Sequence, residues 1–127
     1  EHCEKVVEIL NDASYPKDYI HAICSHGYGI CSDVEPEHTM EKVLYTIDEL
    51  TGLIHATCLM RPSKSVLDLK VKSVKKKFKT ASFASGVNRD IILNGCQRLD
   101  LELDEVIQET IKGMQKEAEA IGLKGVL

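Results

Sequence analysis

The chain has 127 residues, of which 43% are hydrophobic and 28% charged, with a formal net charge of −4. That length carries one hydrophobic core and not two, and the composition is that of a globular chain rather than a disordered or fibrous one. A membrane-spanning helix needs roughly 18 or more apolar residues in a row. Even the longest apolar stretch here, 41–60, contains Glu41, Lys42, Asp48, Glu49 and His55.

In chain order, Val6, Val7, Ile9 and Leu10 predict a first helix from His2 that stops near Asn11-Asp12. Ser14-Tyr15-Pro16 reads as a turn, with Pro16 in the first turn of a second helix and Asp18 favouring its N-terminal end. That helix runs through Ile20, Ile23 and Cys24 to His26-Gly27, where Gly27 is expected to take a left-handed cap. Residues 28–35 form a loop, and Pro36 opens a long helix that Arg61-Pro62 ends. In it Met40, Val43, Leu44, Ile47, Leu50, Thr51, Ile54 and Cys58 recur at steps of three and four, and Leu53 and Leu59 widen that face. We therefore expect a core helix, and an acid inside it, Asp48, then needs a partner.

Val66, Leu67, Leu69, Val71, Val74 and Phe78 fit one or two short amphipathic helices between 63 and 79. Residues 80–87 are a loop, Asn88 can cap a helix through Ile91, Ile92 and Cys96, and a last helix runs from about Asp100 or Leu103 to Ile121. With no repeat and no convincing strand pair, the fold class is all-α, as a single domain over 1–127. The five cysteines (Cys3, Cys24, Cys31, Cys58, Cys96) contain no CxxC pair, and Cys24 and Cys58 fall inside apolar patterns. Reduced thiols in a cytoplasmic setting are the simplest reading.

Charge is uneven: eight basic residues and one acid lie between Arg61 and Lys79. Such a patch can attract phosphates on an acidic protein. Nucleic acid is disfavoured as a partner, because the nearby aromatics are Phe78 and Phe83 alone and the chain as a whole is acidic. No Gly-rich phosphate loop and no recognisable Ser or Cys nucleophile motif occurs.

His2, His26 and Asp48 stand on three successive predicted helices, whose side chains can converge in a bundle core. Two imidazoles and a carboxylate are a usual donor set for a divalent transition metal. Each also has a plain reading: a solvated His2, a His26 stabilising a helix C-terminus, an Asp48 paired with a lysine. A Cys/His zinc site from His2, Cys3, Cys24, His26 and Cys31 lacks the paired-ligand spacing, and His21, His38 and His55 read as structural or surface residues.

The segments HCEKVVEIL, IHAICSHGYG, YTIDELTGLI and MRPSKSV resemble the small stand-alone HD (HDIG-type) branch of the HD-domain phosphohydrolase superfamily. The resemblance covers residues 1 to about 60, with MRPSKSV beyond, and implies an HD-domain-like helical bundle. It implies that His2, His26 and Asp48 are metal ligands in a family order of His, His-Asp, His, His, Asp. One or two divalent ions (Mn, Fe, Ni, Co, Mg or Zn) would activate a water that attacks phosphorus in a nucleotide or other small phosphate ester. Lys64, Lys70, Lys72 and Lys75 are then candidates for holding the substrate phosphate.

The chain has no His-Asp dipeptide and no histidine before His2. We read it as shortened upstream of Glu1, with weak or absent metal binding and exposed apolar surface on its first and third helices that favours a homo-oligomer. The alternative is a non-catalytic regulatory or interaction module on a degenerate HD scaffold.

Overall fold

The spine of the fold is the long helix, and its start is set by its own first residues. The His38 ring nitrogen accepts the Met40 N–H at 3.1 Å, while the Glu41 carboxylate accepts the His38 N–H at 2.8 Å and the Glu37 N–H at 3.1 Å. This reciprocal capping box satisfies amides that would otherwise lack partners, so the helix begins at Thr39 rather than Pro36. In the computed structural model, which describes residues 1–126, six helices follow one another. They are α1 (His2–Asp12), α2 (Lys17–Ser25), α3 (Thr39–Leu59), α4 (Val71–Phe78), α5 (Arg89–Leu99) and α6 (Leu103–Lys116). Among the described residues there is no strand, only an isolated bridge between Tyr28 and Ser32, so the architecture is all-α.

Leu50, Leu53, Ile54 and Cys58 of α3 are fully buried, against Val66, Leu69, Val74, Ile92, Ile107, Ile111 and Leu123 from the segments that follow. The C-terminal half of α3 therefore buries the expected face. Its N-terminal half does not: Met40, Val43 and Leu44 are exposed, and Glu41, Tyr45 and Thr46 are buried in their stead. The cause is α5. A side chain at Gly95 would come within 1.9 Å of the Thr46 hydroxyl, so α5 lies against α3 at a point where it carries no side chain. Next to it the Tyr45 hydroxyl donates to Asn94 Oδ1 at 3.1 Å. Docking on that edge turns Tyr45 and Thr46 inward. Asp48 consequently sits on an exposed side of the helix, which corrects the expectation of an acid inside the core. The buried hydroxyls of Thr46 and Thr57 donate to the carbonyls of Lys42 and Leu53, four residues back, at 2.7 Å each.

Two connections are stitched by single groups. Arg89 donates to the carbonyls of Lys77, Phe78, Thr80, Phe83, Ala84 and Val87, and so organises the whole link between α4 and α5 around one guanidinium. After α3, Arg61 holds Asp68 through both carboxylate oxygens at 2.8 and 3.2 Å. That loop is covered by the C-terminal segment, where the Val66 N–H donates to the Leu123 carbonyl at 2.8 Å. The last helix ends at Lys116, earlier than Ile121, because turns over the next six residues bring Leu123 back into the core. Gly125, at φ +65°, would place a side chain 2.1 Å from the Ser63 carbonyl.

The contact at Gly95 yields a direct test. Intrinsic helix propensity favours alanine over glycine by about 1 kcal/mol. The collision with Thr46 reverses that sign, so Gly95→Ala is expected to cost about 1–3 kcal/mol in urea unfolding. Adding Thr46→Ala removes the hydroxyl and methyl contacts but keeps the Thr46 Cβ position 2.6 Å away, so the double change should cost less than the sum of the two single changes without restoring the parent; a double-mutant cost equal to that sum would show that the sites do not touch.

Candidate functional site

The chemistry-bearing side chains gather where α1 meets the end of α2. The rings of His2 and His26 lie edge to face with centroids 5.7 Å apart. His26 caps the C-terminus of α2 in a right-handed conformation, and its Nδ1–H donates to the Ile23 carbonyl, which leaves Nε2 as the free acceptor. Gly27 does not adopt the left-handed cap expected of it; the positive φ falls two residues later, at Gly29 (+80°). The reason for a glycine at 27 is a disulfide. Cys3 and Cys31 are bridged with Cα atoms 5.9 Å apart, and a side chain on Gly27 would meet the Cys31 and Cys3 sulfurs at 2.6 and 2.8 Å. The bridge therefore lies flat on the Gly27 backbone.

This pairing corrects the reading of five free thiols. Cys24, Cys58 and Cys96 are free and buried, and burial pushes each thiol above its ordinary range. The bridge joins residues 28 apart, which removes chain entropy worth roughly 3–4 kcal/mol from the unfolded ensemble. The turn it grips is held from within as well, since the Gly27 carbonyl accepts the N–H groups of Ile30, Cys31 and Ser32 at 3.0, 3.0 and 3.2 Å.

The rest of the connection to α3 is anchored on α5. Arg98 donates to Glu35 at 2.7 Å and to Asn94 Oδ1 at 2.7 Å. Its guanidinium stands 5.4 Å from the Tyr28 ring and 5.8 Å from the Tyr45 ring, close enough for both π-faces to attract it. His26, at the end of α2, is thus followed by a loop fixed at Cys31 to α1 and at Tyr28 and Glu35 to α5.

Asp48 does not join the two histidines: among the described residues no three His, Cys, Asp or Glu side chains form a group able to hold a metal ion. The lysines stand apart too. Lys75 pairs with Asp104 at 2.9 Å, Lys64 donates to the Leu59 carbonyl at 3.2 Å, and Lys70 and Lys72 are exposed. Their segment, α4 above all, packs against α3 and α6, whereas α1 packs against α2. Two open grooves flank α3, one towards α6 and one towards α2, and neither is lined by His2, His26 or Asp48.

A further interaction went unread in the sequence. His21 on α2 forms an ion pair through Nδ1 with Oε2 of Glu41, whose other oxygen makes the α3 capping box. The signal was present as Glu41 three residues after His38, the spacing of a capping box. The hydrogen bond that His21 donates to Glu41 raises the His21 pKa above 6.5, against a smaller opposing effect of burial. Burial of Glu41 opposes its ionisation, and the hydrogen bonds from the His38 N–H, His21 and the Glu37 N–H outweigh it, so its pKa falls below 4.5.

Comparison with family models, curated proteins and solved structures finds no match to this chain.

The signs of the two shifts define a pH window. The raised His21 pKa contributes stability that is complete below 6.5 and disappears as pH rises through the higher folded value. The lowered Glu41 pKa contributes stability that is complete above 4.5 and disappears as pH falls through the lower folded value. The pair is therefore strongest between those limits. His21→Ala should remove about 1 kcal/mol at pH 6 and almost nothing at pH 9, read from urea midpoints at each pH. An equal loss at both values would mean that His21 acts through packing alone.

Proposed function

We propose that this chain belongs to a metal-dependent phosphohydrolase of the HD type, acting on a nucleotide or another small phosphate ester. The observation that supports it is the approach of His2 and His26, 24 positions apart in the chain, to a ring separation of 5.7 Å. Both belong to segments that resemble that superfamily, and His26 keeps Nε2 free for a ligand. Two imidazoles are fewer donors than a divalent ion takes from protein. The resemblance makes Asp48 the third ligand, although it does not stand with the two histidines here, and the remaining histidine and His-Asp pair are not among these residues. When bound, the ion would polarise a phosphoryl oxygen and lower the pKa of a water. The part of this chain is to hold imidazole donors and to fix one of them by the Nδ1 contact to Ile23. Lys70 and Lys72, exposed and without a salt bridge among the described residues, remain the candidates for the substrate phosphate; Lys64 and Lys75 are engaged elsewhere.

The second reading, a non-catalytic module on the same scaffold, is favoured by one observation: the described residues contain no three-donor group.

The two part on metal binding. In the protein as encoded, including any residues that precede Glu1, Mn²⁺ affinity measured by calorimetry should fall about tenfold or more in His26→Ala and in Asp48→Ala. Hydrolysis of p-nitrophenyl phosphate should fall with it. Activity untouched by Asp48→Ala would remove that residue from the site, and no Mn²⁺ uptake at all would leave the module.

A further inference from the structure

Helix α1 is held to the molecule in an unusual way. Its buried residue is Cys3, while Val6, Val7 and Leu10 are half-buried and Ile9 is 63% exposed. It packs against α2, and among the described residues the main core draws on neither of these two helices. A segment with so little apolar burial opens locally at small cost, without unfolding the rest. The disulfide is what opposes that opening, because Cys3 is fixed through Cys31 to the turn that follows His26. His2 is the neighbour of one bridged cysteine, and His26 precedes the glycine on which the bridge lies.

We propose that Cys3 and Cys31 form a reversible redox site, a latch whose closure docks α1 and sets His2 against His26, and whose reduction frees α1 while the α3–α6 core stays folded. Accessibility assigns the two sulfurs different parts: Cys3 is 5% exposed, whereas Cys31 is half-buried. In the reducing direction a dithiol attacks the Cys31 sulfur, the bridge breaks, and Cys3 leaves and takes up a proton. The second sulfur of the dithiol then attacks its own partner in the mixed disulfide, expels Cys31, and becomes a cyclic disulfide. In the oxidising direction Cys31 attacks a small disulfide such as oxidised glutathione and releases one glutathione thiol. Cys3 then attacks Cys31 and releases the second, so two electrons pass from the protein to the oxidant. The other three thiols are excluded from this exchange by burial.

Gly27 makes the closed state possible, since any side chain there would meet both sulfurs. With the bridge open, the Gly27-to-Ser32 turn keeps its three N–H contacts and the seat of Tyr28 against Arg98 of α5, and α1 keeps only its half-buried contacts to α2. The asymmetry places the motion in α1.

Hydrogen exchange read by mass spectrometry on the oxidised chain and on the chain held in dithiothreitol tests this. Amides of α1 should exchange at least about tenfold faster after reduction, with those of α3 and α5 unchanged. The ring-proton resonances of His2 and His26 should move with the same midpoint when the glutathione redox ratio is varied. Iodoacetamide should then label Cys3 and Cys31 and spare Cys58 and Cys96, which lie in the core. A chain carrying both Cys3→Ser and Cys31→Ser should match the reduced protein in either buffer. The latch is overturned by α1 exchange that ignores reduction, by faster exchange spread over the whole chain, or by failure of oxidised glutathione to rejoin Cys3 to Cys31. None of these readouts involves a metal, so the outcome is separate from that of the phosphohydrolase reading.

Discussion

The whole arrangement depends on how closely α5 can approach α3. A single missing side chain, at Gly95, lets the α5 backbone rest on Thr46, and that contact fixes the rotation of α3 about its own axis. Everything else about α3 follows from this rotation. Leu50, Leu53, Ile54 and Cys58 point into the core, Tyr45 reaches Asn94, and Glu41 turns towards α2. The opposite consequence is the outward display of Met40, Val43, Leu44 and Asp48. Helix packing leaves a choice of faces when a helix is apolar over most of its surface, and here a close backbone approach makes the choice.

Around that spine the two ends of the chain are held by different physics. From α3 onward the helices share one apolar core, reinforced where loops meet by charged groups that serve backbone or carboxylate partners: Arg89 on six carbonyls, Arg61 on Asp68. Among the described residues the α1–α2 pair contributes nothing to that core; beside the packing of α2 on α3 it is held by specific links, one covalent bridge, one ion pair to a helix cap, and, through the loop that follows, one cation between two tyrosines and a glutamate. Nonpolar burial is insensitive to pH and redox conditions, whereas the bridge answers to redox conditions and the His21–Glu41 pair to pH. The histidine pair is on the sensitive side of the molecule.

How much of this could be read in advance depended on the range of the interaction. Helix existence and the loops were legible, because the 3.6-residue period, Asn88, and the Arg61-Pro62 stop are local signals. The buried set in the second half of α3 was legible for the same reason. Its first half was misread: Met40, Val43 and Leu44 satisfy the period as well as Tyr45 and Thr46 do, and only the position of Gly95, about fifty residues away, decides between them. The Cys3–Cys31 bridge and the His21–Glu41 pair are also contacts between distant segments. Cysteine spacing carried no information about them, and Gly27 was misread as a helix cap because both roles call for a glycine. The nearness of His2 and His26 was legible through helix order alone; the place of Asp48 relative to them was not.

The bridge lying flat on Gly27 has one more implication, for how this corner can change by mutation. Position 27 cannot acquire a side chain while both sulfurs occupy the space above it, and the cysteines have no such seat if that space is filled first. The three residues therefore form a single heritable unit, although they are spread over 29 positions and belong to different elements. Loss of either cysteine releases the constraint on position 27, and a larger residue arriving there closes the route back. An evolutionary path through this corner thus turns like a ratchet: the bridge is lost readily and regained only if glycine is still in place.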